Sequence, residues 1–305
     1  MLSDTPDSLF NKRNSLISKY SMKHLLLVFF LLPLYASACM CDPPPVALEF
    51  LKSKYIFYGT VIDKQYSADS LTYTVTFKID KHFKKNKKNP ETLSFKLTAE
   101  GEFTGQYTSC DFHVDKGENW LVYANQYNGE LTFSFYCSNS SPYSSLDDVS
   151  QEKLEILENG HKIDLNKIIF TIFASRVLRL EDYSPPKPTL SLDTLLARID
   201  KKHYENIDES HFENFVINVD SKGKVKITAV HRKLKHFEMK KVYDVIYPEY
   251  TSLDSLNTEL QNAIIREMKK GKNWEPATFL GNKVNSQVLL NVYFRNNRPT
   301  ASQIM

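Results

Sequence analysis

Glycine is scarce in this sequence, with 9 residues among 305, and no glycine-rich run is present. A loop that cradles phosphate groups needs such a run, so the sequence does not indicate a nucleotide cofactor. An excess of positive charge is lacking too, since 39 basic and 36 acidic side chains leave a net charge of only +3. A nucleic-acid-binding surface needs a broad positive field. We therefore predict neither a cofactor nor a nucleic-acid partner.

A run of about 20 apolar residues, long enough to span a membrane, is also lacking. The apolar segment 25–32 is shorter, follows a basic residue, ends at Pro33 and precedes the small-residue motif Ala-Ser-Ala at 36–38. This order is typical of a secretory signal peptide cleaved after the motif. We expect a leader and signal peptide over residues 1–38, with Met22 as an alternative start. The chain is then exported to the periplasm, the cell surface or the medium, without a stable transmembrane span.

Cysteine is limited to four residues, which are Cys39, Cys41, Cys110 and Cys137. An even number of cysteines in an exported chain favours disulfide bonds. The spacing does not fit a structural zinc site, which has close pairs of ligands at both ends of a loop. Three pairings remain open, and a bond between Cys39 and Cys41 is the least plausible because a single intervening residue leaves a strained ring. Lipid attachment at Cys39 is the alternative, in which one other cysteine stays unpaired.

Five segments rich in β-branched and aromatic residues predict short strands within residues 39–146. They span residues 55–62, 71–79, 92–98, 120–124 and 131–135. Five short strands with cross-links favour a small barrel or sandwich. The basic stretch 81–89 lies between two of these strands. We interpret it as a solvated turn, with contact to anionic lipid as the alternative.

The second half of the chain predicts helices mixed with strands. Residues 147–190 predict a helical connector, with helix over 146–180, and a proline-rich linker, because Pro185, Pro186 and Pro188 cannot continue a helix. All cysteines precede this linker, so we expect the domains on its two sides to fold independently. The domain 191–305 predicts a helix over 191–204, a hairpin over 215–230, a helix over 252–270 capped by Thr251 or Ser252, and a strand over 287–294.

The opening Cys-Met-Cys-Asp-Pro-Pro-Pro at 39–45, followed by a short helix, a strand and later Tyr-Cys-Ser at 136–138, resembles the N-terminal domain of tissue inhibitors of metalloproteinases. Those inhibitors are netrin-like modules with an OB-type β-barrel. The resemblance covers residues 39–146 and implies bonds from Cys39 to Cys110 and from Cys41 to Cys137. In the family, the first cysteine binds the catalytic zinc of the protease and the next side chain enters its specificity pocket. Cys39 and Met40 stand at those positions.

One departure from the inhibitors is Leu51, which stands where they have a third cysteine. The resemblance is therefore to the netrin-like module more than to the inhibitor.

A hairpin turn at 220–223, the motifs Trp-Glu-Pro-Ala at 274–277 and Gly-Asn-Lys-Val at 281–284, and a final apolar strand follow one another in the C-terminal part. This order resembles the TonB C-terminal domain, an α/β unit that binds partner peptides partly by adding a strand to its sheet edge. We expect the strand 287–294 to be the docking edge, because the chain ends soon after it and the tail 295–305 is too polar to cover it firmly. Its candidate docking residues are Val288, Leu290 and Val292.

No nucleophile with a base, no catalytic carboxylate pair and no metal cluster stands out in the sequence. The predicted fold class is α+β, with an OB-type β-barrel, a helical connector and a small α/β domain. We predict an exported bacterial envelope binding or adaptor protein, without a catalytic site, whose partner is an envelope protein or peptide. The alternatives are a metalloproteinase inhibitor that binds a zinc protease through Cys39, and a hydrolase whose site is not recognised.

Overall fold

A computed structural model of the chain describes residues 41–85, 89–107, 111–171, 182–234, 236–271, 274–296 and 298–304. These residues form two compact units, one of residues 41–99 with 113–304 and the other of residues 100–107 with 111–112. The architecture is α+β, with mostly antiparallel strands and few helices. Over these ranges, no helix has the length and apolar character needed to cross a membrane.

The first part of the larger unit is a curled half-barrel of six strands, which we call the N-terminal sheet. Its strands run in the order β3-β2-β1-β4-β5, with β6 beside β4. Four of the five predicted strands of this region are confirmed, and the fifth, predicted over 131–135, is a strand only at 131–132. The assignment to the OB-type fold stays a prediction. The elements are α1 (Val46–Lys52), β1 (Tyr55–Tyr66), β2 (Thr72–His82), β3 (Thr92–Thr98), β4 (Asn119–Tyr127), β5 (Glu130–Thr132) and β6 (Ser141–Pro142).

The smaller unit contains a single helical turn, α2 (Gly101–Thr104). The turn ends at Gly105, whose φ of 69° is a left-handed conformation that glycine adopts at low cost. The N–H of Gly105 donates to the carbonyl of Gly101 at 2.8 Å, which closes the turn.

The connector is not the continuous helix predicted over 146–180. Its helix α3 (Gln151–Glu158) ends before Gly160, where the backbone lies so close to Phe50 that a Cβ atom would be 2.2 Å from the ring. Two 3₁₀ turns, Gly160–Lys162 and Leu165–Lys167, then lead to β7 (Ile169–Phe170). The rest of the predicted helix, 172–180, lies outside the described residues.

The remaining elements surround a second sheet, which we call the C-terminal sheet. Its strands run in the order β11-β10-β16-β15-β8, with β17 and β7 also beside β16. Two two-stranded ribbons, β12–β13 and β14–β9, complete the fold. The elements are β8 (Tyr183–Ser184), β9 (Lys187–Pro188), α4 (Leu192–Leu196), β10 (Phe212–Val219), β11 (Val225–Ala229), β12 (Phe237–Val242), β13 (Val245–Tyr250), α5 (Glu259–Lys269), β14 (Trp274–Glu275), β15 (Ala277–Phe279), β16 (Asn282–Arg295) and β17 (Arg298–Ile304).

The segment predicted as a proline-rich linker contributes two short strands. β8 pairs with β15, and β9 pairs with β14 through Pro188 and Trp274. Tyr183 is buried and stacks on Phe170, with ring centroids 5.5 Å apart. The chain between the two predicted domains is therefore held by backbone pairing and ring contact, and independent folding of the domains stays a prediction.

Helix α5 covers one face of the C-terminal sheet. It begins at Thr258, which forms a capping box with Gln261, rather than at the predicted Thr251 or Ser252. The segment before it contains one 3₁₀ turn, Asp254–Leu256. The apolar side of α5 packs on Phe215, Ile217 and Leu290 in a core of mainly aliphatic residues. The predicted hairpin is confirmed as β10 and β11.

Candidate functional site

The predicted site residues in the N-terminal part are only partly within the described residues. Cys41 and Cys137 form a disulfide bond with a Cα–Cα distance of 5.3 Å, and this is the partner that the family resemblance implies for each of them. Cys39, Met40 and Cys110 lie outside the described residues. The inhibitor mechanism through Cys39 and Met40, lipid attachment at Cys39 and the bond from Cys39 to Cys110 therefore stay predictions.

The loop that follows Cys137 is tied to α1 through a buried carboxylate. Glu49 accepts hydrogen bonds from the Ser138 hydroxyl, the Asn139 N–H and the Asn139 side-chain amide, each at 2.7 Å. Burial raises the pKa of Glu49, and these three donors oppose the increase. The disulfide and the Glu49 cluster together fix the start of α1 on the N-terminal sheet.

The strand predicted as the docking edge is central in its sheet, so this prediction is wrong about its position. Residues 286–293 of β16 pair with β10 on one side, and residues 289–295 pair with β17 on the other. Side chains Val288, Leu290 and Val292 are buried. The prediction failed because strand pairing uses backbone groups, so the polar tail after residue 295 can pair as well as an apolar one.

The outer edge of β17, the true last strand, is blocked in two places. Pro299 has no N–H to offer, and the outward N–H of Ala301 donates to Asp193 Oδ1 at 3.0 Å. Sheet edges protected in this way resist the addition of another strand.

The face of the C-terminal sheet opposite α5 carries a cleft of about 420 Å³, which we call the sheet–ribbon cleft. Its floor consists of side chains from β10, β11 and β16, among them Asn218, Lys226 and Gln287. Its wall is β13 of the ribbon, with Tyr247 and Tyr250. A strand of the ribbon thus lies across the sheet and encloses a mixed polar and aromatic space.

A buried carboxamide fixes the floor of the cleft to its wall. Gln287 is 8% exposed, and its Nε2 atom donates to Asn218 Oδ1 and to the Pro248 carbonyl, both at 2.9 Å. Both N–H groups of the amide are therefore used within the protein. No group in the described ranges donates to its Oε1 atom, which leaves an acceptor at the cleft for a ligand N–H.

The cleft contains one lysine and two carboxylates with different roles. Asp220 accepts the N–H groups of Lys222 and Lys224 at 2.9 and 2.8 Å, so it stabilises the β10–β11 turn. Glu249 lies 3.6 Å from Lys240 and is largely exposed. Lys226 is exposed at the floor. These charges nearly balance, which favours a polar ligand without strong net charge.

The tyrosines of the wall are packed against neighbouring residues, and Tyr247 is buried. The ring of Tyr250 packs against Phe237 and His236, with centroid distances of 5.3 and 5.7 Å. Burial raises the pKa of Tyr250, so its phenol stays protonated at neutral pH and remains a hydrogen-bond donor. Rigid tyrosines supply contact area at low entropic cost, as in many protein-binding surfaces.

The wall of the cleft is held in place by contacts of the β12–β13 turn with α1 and the connector. Asp244 in this turn accepts the N–H groups of Val46 and Ala47, the first residues of α1. Tyr243 beside it has a φ of 56°, and its hydroxyl accepts the Asp164 N–H at 2.9 Å. The cleft wall is thus anchored on α1 and on the connector.

The cleft is lined mainly by polar side chains. Its side chains offer amides, phenols, one ammonium group and two carboxylates. Within the part of the chain that the structure describes, no group of three or more His, Cys, Asp or Glu side chains is placed to hold a metal ion. The strands of the ribbon could have been recognised from the alternation of apolar and polar residues in 237–242 and 245–250. Pro248 and the charged residues of these segments make this alternation hard to recognise.

Comparison with known proteins yields neither a matching family model nor a matching curated protein.

Proposed function

We propose that this chain is an exported binding protein that holds an extended, polar peptide segment of an envelope partner in the sheet–ribbon cleft. The observation that carries the proposal is the buried Gln287 amide, whose Oε1 atom is left for a ligand while both of its N–H groups are used within the protein. A peptide backbone supplies the matching N–H donors, and the two wall tyrosines suit contact with its side chains.

Export is supported by the disulfide. The bond between Cys41 and Cys137 joins exposed residues, and disulfides at a surface persist in oxidising compartments. This agrees with the signal peptide expected over residues 1–38. The balance of charges at the cleft favours a neutral polar segment over a strongly acidic or basic one.

The test is selection of peptides from a random hexapeptide display library on the oxidised full chain. We expect the enriched peptides to lose about tenfold in affinity with Lys226→Ala, because this change removes one polar contact worth about 1.4 kcal/mol. Gln287→Ala is expected to lose at least as much, because it also removes the two hydrogen bonds that join the floor of the cleft to its wall. Lys226 is exposed, so its loss leaves the fold intact. Gln65→Ala is the matched control, since Gln65 is an exposed glutamine of the N-terminal sheet. Peptides that bind both cleft variants as tightly as the native chain would show that the cleft is not the site.

A further inference from the structure

The outer edge of β12 carries a row of unpaired backbone groups. In the described part of the chain, β12 pairs only with β13. The Thr251 N–H donates to the His236 carbonyl at 2.8 Å, which fixes the alternation of the ladder. Residues 238, 240 and 242 therefore point their backbone groups at β13. The N–H and C=O groups of Phe237, Met239 and Lys241 point outward.

This edge is exposed and carries one carboxylate, two ammonium groups and the exposed apolar side chain of Met239 close together. Glu238 and Lys240 lie on one face of the ribbon, with their side chains 78% and 41% exposed. Met239 lies on the other face and is 55% exposed, diagonally across from Ile246, which is 50% exposed. An exposed edge strand of this kind is a template for pairing with another strand.

The pattern of β12 is complementary to itself in the antiparallel register centred on Met239. With Met239 opposite Met239 of a second copy, Glu238 lies opposite Lys240 and Lys240 lies opposite Glu238. A register centred on Glu238, Lys240 or Lys241 instead places two like charges opposite each other, which destabilises the pairing. The register centred on Met239 also brings the outward groups of 237, 239 and 241 face to face, so that each donor meets an acceptor.

We propose that two copies of this chain associate through β12, antiparallel and centred on Met239, to form a four-stranded sheet in the order β13-β12-β12-β13. The contact is isologous, so it closes at a dimer. The two Met239 side chains meet on one face, and Phe237 lies opposite Lys241 of the second copy, whose ammonium group pairs with Glu152 of its own chain. The inference does not rest on the proposed function, because residues of β12 do not line the cleft.

The contact is small, and small interfaces give weak, reversible association. We expect a dimer Kd on the order of 10–100 µM. Sedimentation equilibrium of the oxidised full chain over a range of concentrations that brackets these values measures it. The average mass is expected to rise from monomer to dimer, and to rise less at high salt because the two charge pairs are exposed.

Charge reversal tests the register. Glu238→Lys places two lysines opposite each other at both pairs, and Lys240→Glu places two glutamates there. Each variant alone is expected to raise the dimer Kd about tenfold or more. An equimolar mixture of the two variants restores unlike charges at both pairs, so it is expected to form a heterodimer with a Kd near that of the native chain. Misfolded variants would not recover on mixing, which separates loss of fold from loss of contact.

Met239→Pro tests the backbone contact. The N–H of Met239 is not used within the ribbon, so proline removes a bond of the dimer while the β12–β13 ladder is kept. Lys226→Ala in the cleft serves as the control and should dimerise like the native chain. A native chain that stays monomeric throughout the concentration range would overturn the proposal, as would a mixture of the two charge variants that stays monomeric.

Discussion

The N-terminal and C-terminal sheets are stabilised in different ways. The N-terminal sheet encloses a cluster of rings from Phe57, Phe77, Phe95, Trp120 and Phe133, with neighbouring centroids 5.0–6.3 Å apart. A disulfide also ties the chain that precedes α1 to the loop after β5. The C-terminal sheet has no cysteine in its sequence and packs mainly aliphatic residues under α5.

This difference follows from the helices that cover each sheet. The helices beside the N-terminal sheet, α1 and α3, are short. Strand β1 is buried on both faces, since Phe57 packs among the rings and Ile56 packs against the helices. Large rings and a covalent bond supply the stability that a long helix supplies in the C-terminal sheet. Only the first arrangement depends on an oxidising environment.

Helix α1 belongs to both arrangements. Phe50 packs against Tyr123 of the N-terminal sheet, whereas Leu48 is buried in a cluster with Phe170, Val245 and Phe279. Lys52 near the end of the helix pairs with Asp182. The position of the cysteines predicts that the two parts fold independently. Because α1 packs in the cores of both parts, one part would then have to fold without its contacts to α1.

Removal of the disulfide is expected to have the largest effect. The bond closes a loop with a sequence separation of 96 residues, so Cys41→Ser with Cys137→Ser should lower the free energy of unfolding by about 2–5 kcal/mol. The two tryptophans report the two sheets separately, because Trp120 lies among the rings and Trp274 lies in the core under α5. Denaturant titrations in Trp120→Phe and Trp274→Phe backgrounds measure each transition.

The same titrations decide how far the two sheets are coupled. We expect the midpoint of the Trp120 transition to shift most. The midpoint of the Trp274 transition should shift less but measurably, because α1 packs in both parts and the loss of stability therefore reaches the C-terminal sheet. A Trp274 transition that does not move would mean that the C-terminal sheet folds by itself, as the sequence predicts.

Asp244→Ala is expected to have an intermediate effect. It leaves two N–H groups at the start of α1 without their acceptor, which costs about 1–2 kcal/mol. Both tryptophan transitions should move together, since the contact joins the ribbon to α1. Asp208→Ala is the matched control, because this exposed aspartate accepts a backbone N–H from Ser210 at 2.7 Å within a local turn. Equal effects of the two substitutions would contradict a coupling role for Asp244.

The sequence predicted those elements whose patterns are local. The alternation in β2 and the turn at 220–223 each determine a structure without distant partners. The ribbon was not predicted, because its two-residue turn places Tyr243 at a φ of 56°, where glycine or asparagine is expected. The local sequence does not favour this turn. Hydrogen bonds of Tyr243 with Asp164 and of Asp244 with α1 stabilise it instead. Such contacts cannot be read from neighbouring residues.

The candidate site was less predictable than the fold for the same reason. The cleft combines Asn218, Lys226, Tyr250 and Gln287, which lie on four different strands and share no spacing. The strand that we expected at the edge, because only a short polar tail follows it, is central because residues 298–304 pair with it. Position within a sheet depends on the order of all its strands, which hydrophobic periodicity does not encode.

Lys84 gives the smallest expected effect and the sharpest test of how the N-terminal sheet holds α1. Its Nζ atom donates to the carbonyls of Phe50, Leu51 and Ser53 at 2.8, 2.9 and 2.6 Å, which makes it the C-terminal cap of the helix rather than part of a solvated turn.

Burial lowers the pKa of Lys84 to about 8, whereas an unfolded lysine has a pKa of about 10.4. Between these values the unfolded chain binds the proton and the folded chain does not, so the stability contribution of Lys84 rises with pH. With allowance for partial solvent exposure, we expect the stability difference between the native chain and Lys84→Met to increase by about 1 kcal/mol from pH 7.5 to 10. Lys85→Met, at the exposed neighbouring lysine, is the matched control. A difference that falls with pH would mean that the three carbonyls outweigh burial and hold the proton on Lys84.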